Sequence, residues 1–160
     1  MQQQTTFYKK HGSQILFWKS NFNSNKTISF TWGIVGYSVG SRIKGFESYE
    51  ETLQFYEAFT NRMTHTYSYK PNECKYRMNV TLKNHPNQLQ KNIEEIEAIS
   101  KIVNDVLCIN GIGYVKSLEL KDDLLSIPFN VINTQIAFNK IREELAGIGI
   151  SRNHLLFLPR

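Results

Sequence analysis

From Thr27 to Val35 the chain alternates, with Ile28, Phe30, Trp32 and Ile34 on one side and Thr27, Ser29 and Thr31 on the other. A two-residue period rich in β-branched and aromatic side chains specifies an extended strand with one buried face. Such a face must be covered by another element, and the residues that follow supply one. Ser48-Tyr49-Glu50-Glu51 has the S-x-x-E form of a capping box, in which serine and glutamate satisfy backbone donors that a helix start leaves unpaired. Beyond it, Tyr49, Leu53, Tyr56, Phe59 and Met63 recur at three- and four-residue spacing, the apolar stripe of a helix. Gln14 to Lys19 is a second apolar strand, and the linking residues Asn21 to Lys26 make the pair a hairpin with a polar tip at Ser20 to Asn25. After Gly33, Gly36 and Gly40, Ser41 to Phe46 adds a third strand. Gln2 to Gln4 reads as a frayed end.

The polar, proline-containing segment Tyr69-Lys70-Pro71-Asn72-Glu73 reads as a linker and divides the chain into modules 1–72 and 73–160. In the second module Lys75 to Lys83 alternates, with Tyr76, Met78, Val80 and Leu82 on one face and Arg77, Asn79 and Thr81 on an exposed one. A turn at Asn84 to Asn87 leads to a long helix with Ile93, Ile96, Ile99, Ile102, Val103, Val106 and Leu107 on its apolar stripe, stopped by Asn110-Gly111. Tyr114 to Lys121 and Leu124 to Val131 form a hairpin around Asp122-Asp123, with Pro128 placing the second strand at an edge or bulge. Asn133 caps a helix with Ile136, Ala137, Ile141 and Leu145 inside; Gly147 and Gly149 end it, and His154 to Leu158 is a last strand. The predicted class is α+β: a small antiparallel sheet with one helix, followed by a βαββαβ ferredoxin-like plait with both helices on one sheet face.

The stretch from Ile15 to Tyr69 resembles a WGR domain, a sheet-plus-helix module of poly(ADP-ribose) polymerases and assorted bacterial proteins. The resemblance rests on Trp32-Gly33 at the end of a hairpin strand, Val35-Gly36 just after, aromatic Phe46, and a helix from Ser48 to Met63 closing on Tyr67. It implies contacts to DNA ends and neighbouring domains through the tryptophan and an arginine two residues later. That position is Ile34 here, so a group that pairs with phosphate is replaced by hydrocarbon. In the second module, residues 96–120 faintly resemble small ferredoxin-like bacterial domains in which a helix runs into a Gly-x-Gly turn and a strand.

Residues 1–72 hold 8 Lys and Arg against 4 Asp and Glu, whereas the remainder holds 11 against 10, so the basic excess of this +5 chain sits in the first module. Lys9, Lys10, Lys19, Lys26, Arg42, Lys44, Arg62 and Lys70 can meet phosphates, with Tyr8, Trp18 and Tyr37 to stack on bases; the alternative is ordinary solvated surface. Trp32 reads either as core or as an exposed anchor for a partner. His11, His65, His85 and His154 stand singly, and Cys74 and Cys108 have no metal-ligand spacing, so catalysis, metal and cofactor are not expected. No apolar run is long enough for a membrane span, and the reading is a cytoplasmic protein with reduced thiols. The expected function is non-catalytic: docking of a macromolecule, protein in preference to DNA, through Trp32, Ile34, Tyr37, Arg42 and Lys44. The alternatives are an immunity protein that neutralises a cognate toxin, and a DNA-end or RNA binder using the basic module.

Overall fold

The chain folds as two units, Met1–Glu73 and Cys74–Arg160, each α+β and each built on one antiparallel sheet. The computed structural model describes residues 3–23, 26–71, 74–83, 89–121, 124–148 and 156–159. Gln2, the tip residues Ser24 and Asn25, the turns expected at 84–87 and 122–123, His85, His154 and Gly149 lie outside them.

In the first unit, β1 (Gln3–His11), β2 (Gln14–Asn23), β3 (Thr27–Ile34), β4 (Tyr37–Gly45) and β5 (Lys70–Pro71) make one sheet in the order β4-β3-β2-β1-β5. Helix α1 (Tyr49–Asn61) and a π-helical turn (Arg62–Thr66) stand between β4 and β5 in the chain. The pairing Phe22↔Ile28, Ser20↔Phe30 and Trp18↔Trp32 puts the predicted apolar face of β3 beside the alternate residues of β2. α1 covers that face: Phe22, Ile28, Phe30 and Tyr56 are buried together, flanked by Trp18, Trp32, Phe46, Leu53, Phe55 and Phe59. Ser48 caps the helix by accepting from the Glu51 amide at 3.0 Å, and Glu51 Oε2 reaches back to the Glu47 amide at 3.0 Å. Of the predicted stripe, Tyr56 and Met63 are buried, whereas Tyr49 is exposed and meets Phe22 edge-on.

Three expectations for this unit need correction. Gln3 and Gln4 are not frayed: they open β1, which pairs with β2 along its whole length. The expected linker is partly sheet, because Lys70 and Pro71 pair with Tyr8 and Phe7. Likewise Ser20 to Asn23 extend β2 instead of forming a hairpin tip. The Tyr56 hydroxyl meets Thr5 Oγ1 at 2.8 Å and so ties α1 to β1. Tyr56→Phe keeps the ring and strands the threonine hydroxyl, and is expected to lower stability by about 1 kcal/mol in urea unfolding.

In the second unit, β6 (Tyr76–Lys83), β7 (Gly113–Val115), β9 (Leu124–Val131) and β10 (Leu156–Pro159) follow the order β10-β6-β9-β7, with β8 (Glu119–Lys121) also pairing with β9. Helices α2 (Leu89–Ile109) and α3 (Thr134–Gly147) pack on each other. Asn133 caps α3, its side chain accepting from the Ile136 amide at 3.0 Å. Gly111, at φ 60°, takes the left-handed conformation that turns the chain out of α2. Met78, Val80, Ile127, Phe129 and Val131 share a buried sheet face, and Ile96, Ile99, Val103, Val106 and Leu107 of α2 are buried.

The strand predicted as half-exposed is more deeply set. Asn79 and Thr81 are buried, Arg77 pairs with Glu119 at 3.1 Å, and Tyr76 is exposed. Of the two places expected for Pro128, an edge or a bulge, the edge is excluded, because β9 lies between β6 and β7; the register beside it shifts between Val115↔Phe129 and Glu119↔Ser126. The proline's carbonyl accepts from the Lys116 amide at 2.8 Å, so the backbone of Pro128 faces the gap between β7 and β8. The donor that proline lacks points to where the ladder is already interrupted. No helix among the described residues is long and apolar enough to cross a membrane.

Candidate functional site

All five residues singled out by the sequence lie on one face of β3 and β4. Register pairs Ile34 with Tyr37, Trp32 with Gly40, Phe30 with Arg42 and Ile28 with Lys44, so Trp32, Ile34, Tyr37, Arg42 and Lys44 point to the side that α1 covers. Their surroundings differ. Trp32 is half-buried: it stacks on Trp18 at 4.9 Å and 17°, and its ring lies over Gly40, where an added Cβ would meet it at 2.6 Å. An aromatic ring thus shields the backbone of a glycine on the neighbouring strand. Trp32 is therefore a packing residue at the edge of the core, neither fully buried nor fully exposed. Ile34 is half-buried beside it, while Tyr37, Arg42 and Lys44 are exposed. The Lys44 ammonium sits 3.8 Å from the Phe55 ring centroid and 5.0 Å from that of Phe46, a cation–π seat that roofs the aromatic edge of the core.

Strand β4 ends the sheet, and its outer edge has a definite pattern. The Phe46 amide donates to the Lys26 carbonyl at 3.0 Å. In an antiparallel ladder bonded and non-bonded pairs alternate, which makes Ile28/Lys44, Phe30/Arg42 and Trp32/Gly40 the bonded pairs. The backbone groups of Ser41, Ile43 and Gly45 consequently point away from β3. Side chains on the sheet's other face add apolar area there, Val39 being 64% and Ile43 71% exposed. A register shift opposite Trp32 and Gly33 leaves Val39 as the extra residue of a bulge.

No family model, curated protein or solved structure matches the chain. Function must then be read from the chemistry of the site itself.

That chemistry is an exposed row of backbone donors and acceptors, with Arg42 and Lys44 along one side and Val39 and Ile43 along the other. Sequence reasoning missed Val39 and Ile43. Their signal is the alternation Val39, Ser41, Ile43 against Gly40, Arg42, Lys44, which places the apolar members opposite to the core. Among the described residues no group of three or more His, Cys, Asp or Glu could hold a metal ion. Cys74 is buried with its Sγ 3.8 Å from the Ile112 carbonyl, and Cys108 is half-buried with its Sγ 3.6 Å from Asn104 Oδ1. His11 ends β1 and His65 lies in the π-helical turn.

Proposed function

We propose that the first unit is a non-catalytic docking module of a cytoplasmic protein, and that it binds a protein partner by accepting an extended segment as a sixth strand beside β4. The carrying observation is the outward-facing backbone of Ser41, Ile43 and Gly45 on an edge with exposed Val39 and Ile43. Main-chain hydrogen bonds supply affinity in such strand addition, and side chains on the two faces supply selectivity. The segment's residues beside Arg42 and Lys44 are acidic; those beside Val39 and Ile43 are apolar. Two copies of β4 are a poor match, since antiparallel pairing about Ile43 would set Arg42 and Lys44 of each copy against the other's cations. The antiparallel sheet with one covering helix supports the WGR-like reading of this unit. The order β10-β6-β9-β7 supports reading the second unit as a ferredoxin-like plait.

Selection of random peptides on the immobilised full chain tests the proposal, followed by mapping of the best peptide with backbone amide NMR shifts. Peptides alternating acidic and apolar residues, with shifts centred on Ser41 to Gly45, are the expected result. Shifts elsewhere, no selected sequence, or tighter binding of single- or double-stranded nucleic acid that weakens steeply with salt would overturn it.

A further inference from the structure

A separate concavity in the first unit lies where β1, β2, the end of α1 and the π-helical turn converge. It encloses about 480 Å³ and is lined by Lys9, Trp18, Phe59, Arg62, Met63, Tyr67 and Tyr69. That volume falls among small-ligand pockets of about 300–1,000 Å³. Trp32 stacks against Trp18 without lining the cavity, so one side of the Trp18 indole is occupied by its neighbour and the cavity sees another.

The local backbone is unusual. Arg62–Thr66 winds as a π-helix, a form frequent at functional sites. The Tyr67 amide closes on the Arg62 carbonyl at 3.1 Å and the Tyr69 amide on the Met63 carbonyl at 2.9 Å. Ser68, between the two tyrosines, holds φ 58°, a left-handed conformation costly for a residue with a side chain. This path delivers Tyr69 to β5, beside β1, next to Lys9. The Lys9 ammonium donates to the Tyr67 carbonyl at 2.8 Å and lies 5.7 Å from the Tyr69 ring centroid. One of its three donors is thereby used, and the others remain for a ligand. Desolvation pushes the Tyr69 phenol above its ordinary range, and its hydroxyl, protonated at neutral pH with or without that push, is a hydrogen-bond donor.

We propose that this cavity binds a small planar aromatic anion, its ring against Trp18, Phe59 and the tyrosines and its carboxylate or phosphate at Lys9 and Arg62. Among the described residues the lining holds two cations and no acidic group, which selects an anion over the ammonium ligands that aromatic cages otherwise take. The carboxylate and the phosphate are two sources of one chemistry. Strand β4 contributes nothing to this cavity, and the proposal stands apart from the docking reading.

Isothermal titration of the full chain tests it with indole-3-acetate, adenosine 5′-monophosphate, uncharged indole, tryptamine, acetate and inorganic phosphate. At least one of the two aromatic anions is expected to bind, and which of them does identifies the anionic group. Indole, tryptamine, acetate and phosphate are expected to bind at least tenfold more weakly. Arg62→Gln, at an exposed position, is expected to weaken the bound anion roughly tenfold, the loss of one charge-assisted hydrogen bond. The proposal is overturned if neither aromatic anion binds at millimolar concentration, if any control binds as well, or if Arg62→Gln leaves affinity unchanged.

Discussion

Ile43→Pro leaves the first unit folded and weakens binding of an added strand by roughly a hundredfold. The Ile43 amide points away from β3, so proline removes no hydrogen bond internal to the sheet, and edge positions of this kind tolerate it. The side chain is already 71% exposed, and little packing is lost. For a docked strand the change removes a main-chain donor, about 1 kcal/mol, and apolar area on Ile43 worth about 2 kcal/mol, which together make the hundredfold. Arg42→Pro is the contrasting control: its amide faces Phe30 inside the ladder, and proline there lowers stability outright. Guanidinium unfolding and calorimetry with a selected peptide separate the two effects. If Ile43→Pro binds the peptide as the parent does, the added strand lies elsewhere.

The second large effect is on stability. Phe30→Ala empties the centre of the sheet–helix core, where the ring meets Phe59 at 4.9 Å and Phe55 at 6.4 Å between centroids. Loss of about 3–5 kcal/mol is expected, enough to unfold a unit of ordinary stability. Trp32→Ala, from the same strand face, costs less. Its ring is only partly buried, and what it gives up is the stack on Trp18, about 0.5–1.5 kcal/mol, and the partial burial over Gly40. The comparison, made by denaturant unfolding of both variants, distinguishes a core residue from one at the core's rim. Equal losses would mean that Trp32 is as central as Phe30.

Local patterns were readable in the sequence where one element dictates its own form. The alternation of Ile28, Phe30, Trp32 and Ile34 needs no distant partner to be seen, and neither do the caps at Ser48 and Asn133, which act within three residues. Strand β1 was not readable. Its apolar residues Phe7 and Tyr8 are adjacent and so fall on opposite faces, and the ladder with β2, a tertiary fact, is what makes it a strand. Asn79 and Thr81 misled in the other direction, since polar members of an alternating strand suggest solvent and here are buried. Pro128 suggested an edge or a bulge, and the interruption between β7 and β8 beside it explains its central place. At the candidate site, charge and aromaticity pointed to Arg42, Lys44 and Trp32. The importance of Val39 and Ile43 depends on β4 having a neighbour on one side only, which is a property of strand order and invisible to periodicity. Tyr67 and Tyr69 stand out in the sequence only as neighbouring aromatics, and their meeting with Lys9 and Trp18 requires the chain's return to β1.

The near-parallel indoles of Trp18 and Trp32 have an optical consequence. Both tryptophans of the chain belong to the first unit and lie 4.9 Å apart. Their transitions couple, so the far-ultraviolet circular dichroism carries a paired positive and negative band that vanishes when the rings separate. That signature is blind to residues 74–160 and offers a built-in reporter of whether the amino-terminal half melts alone.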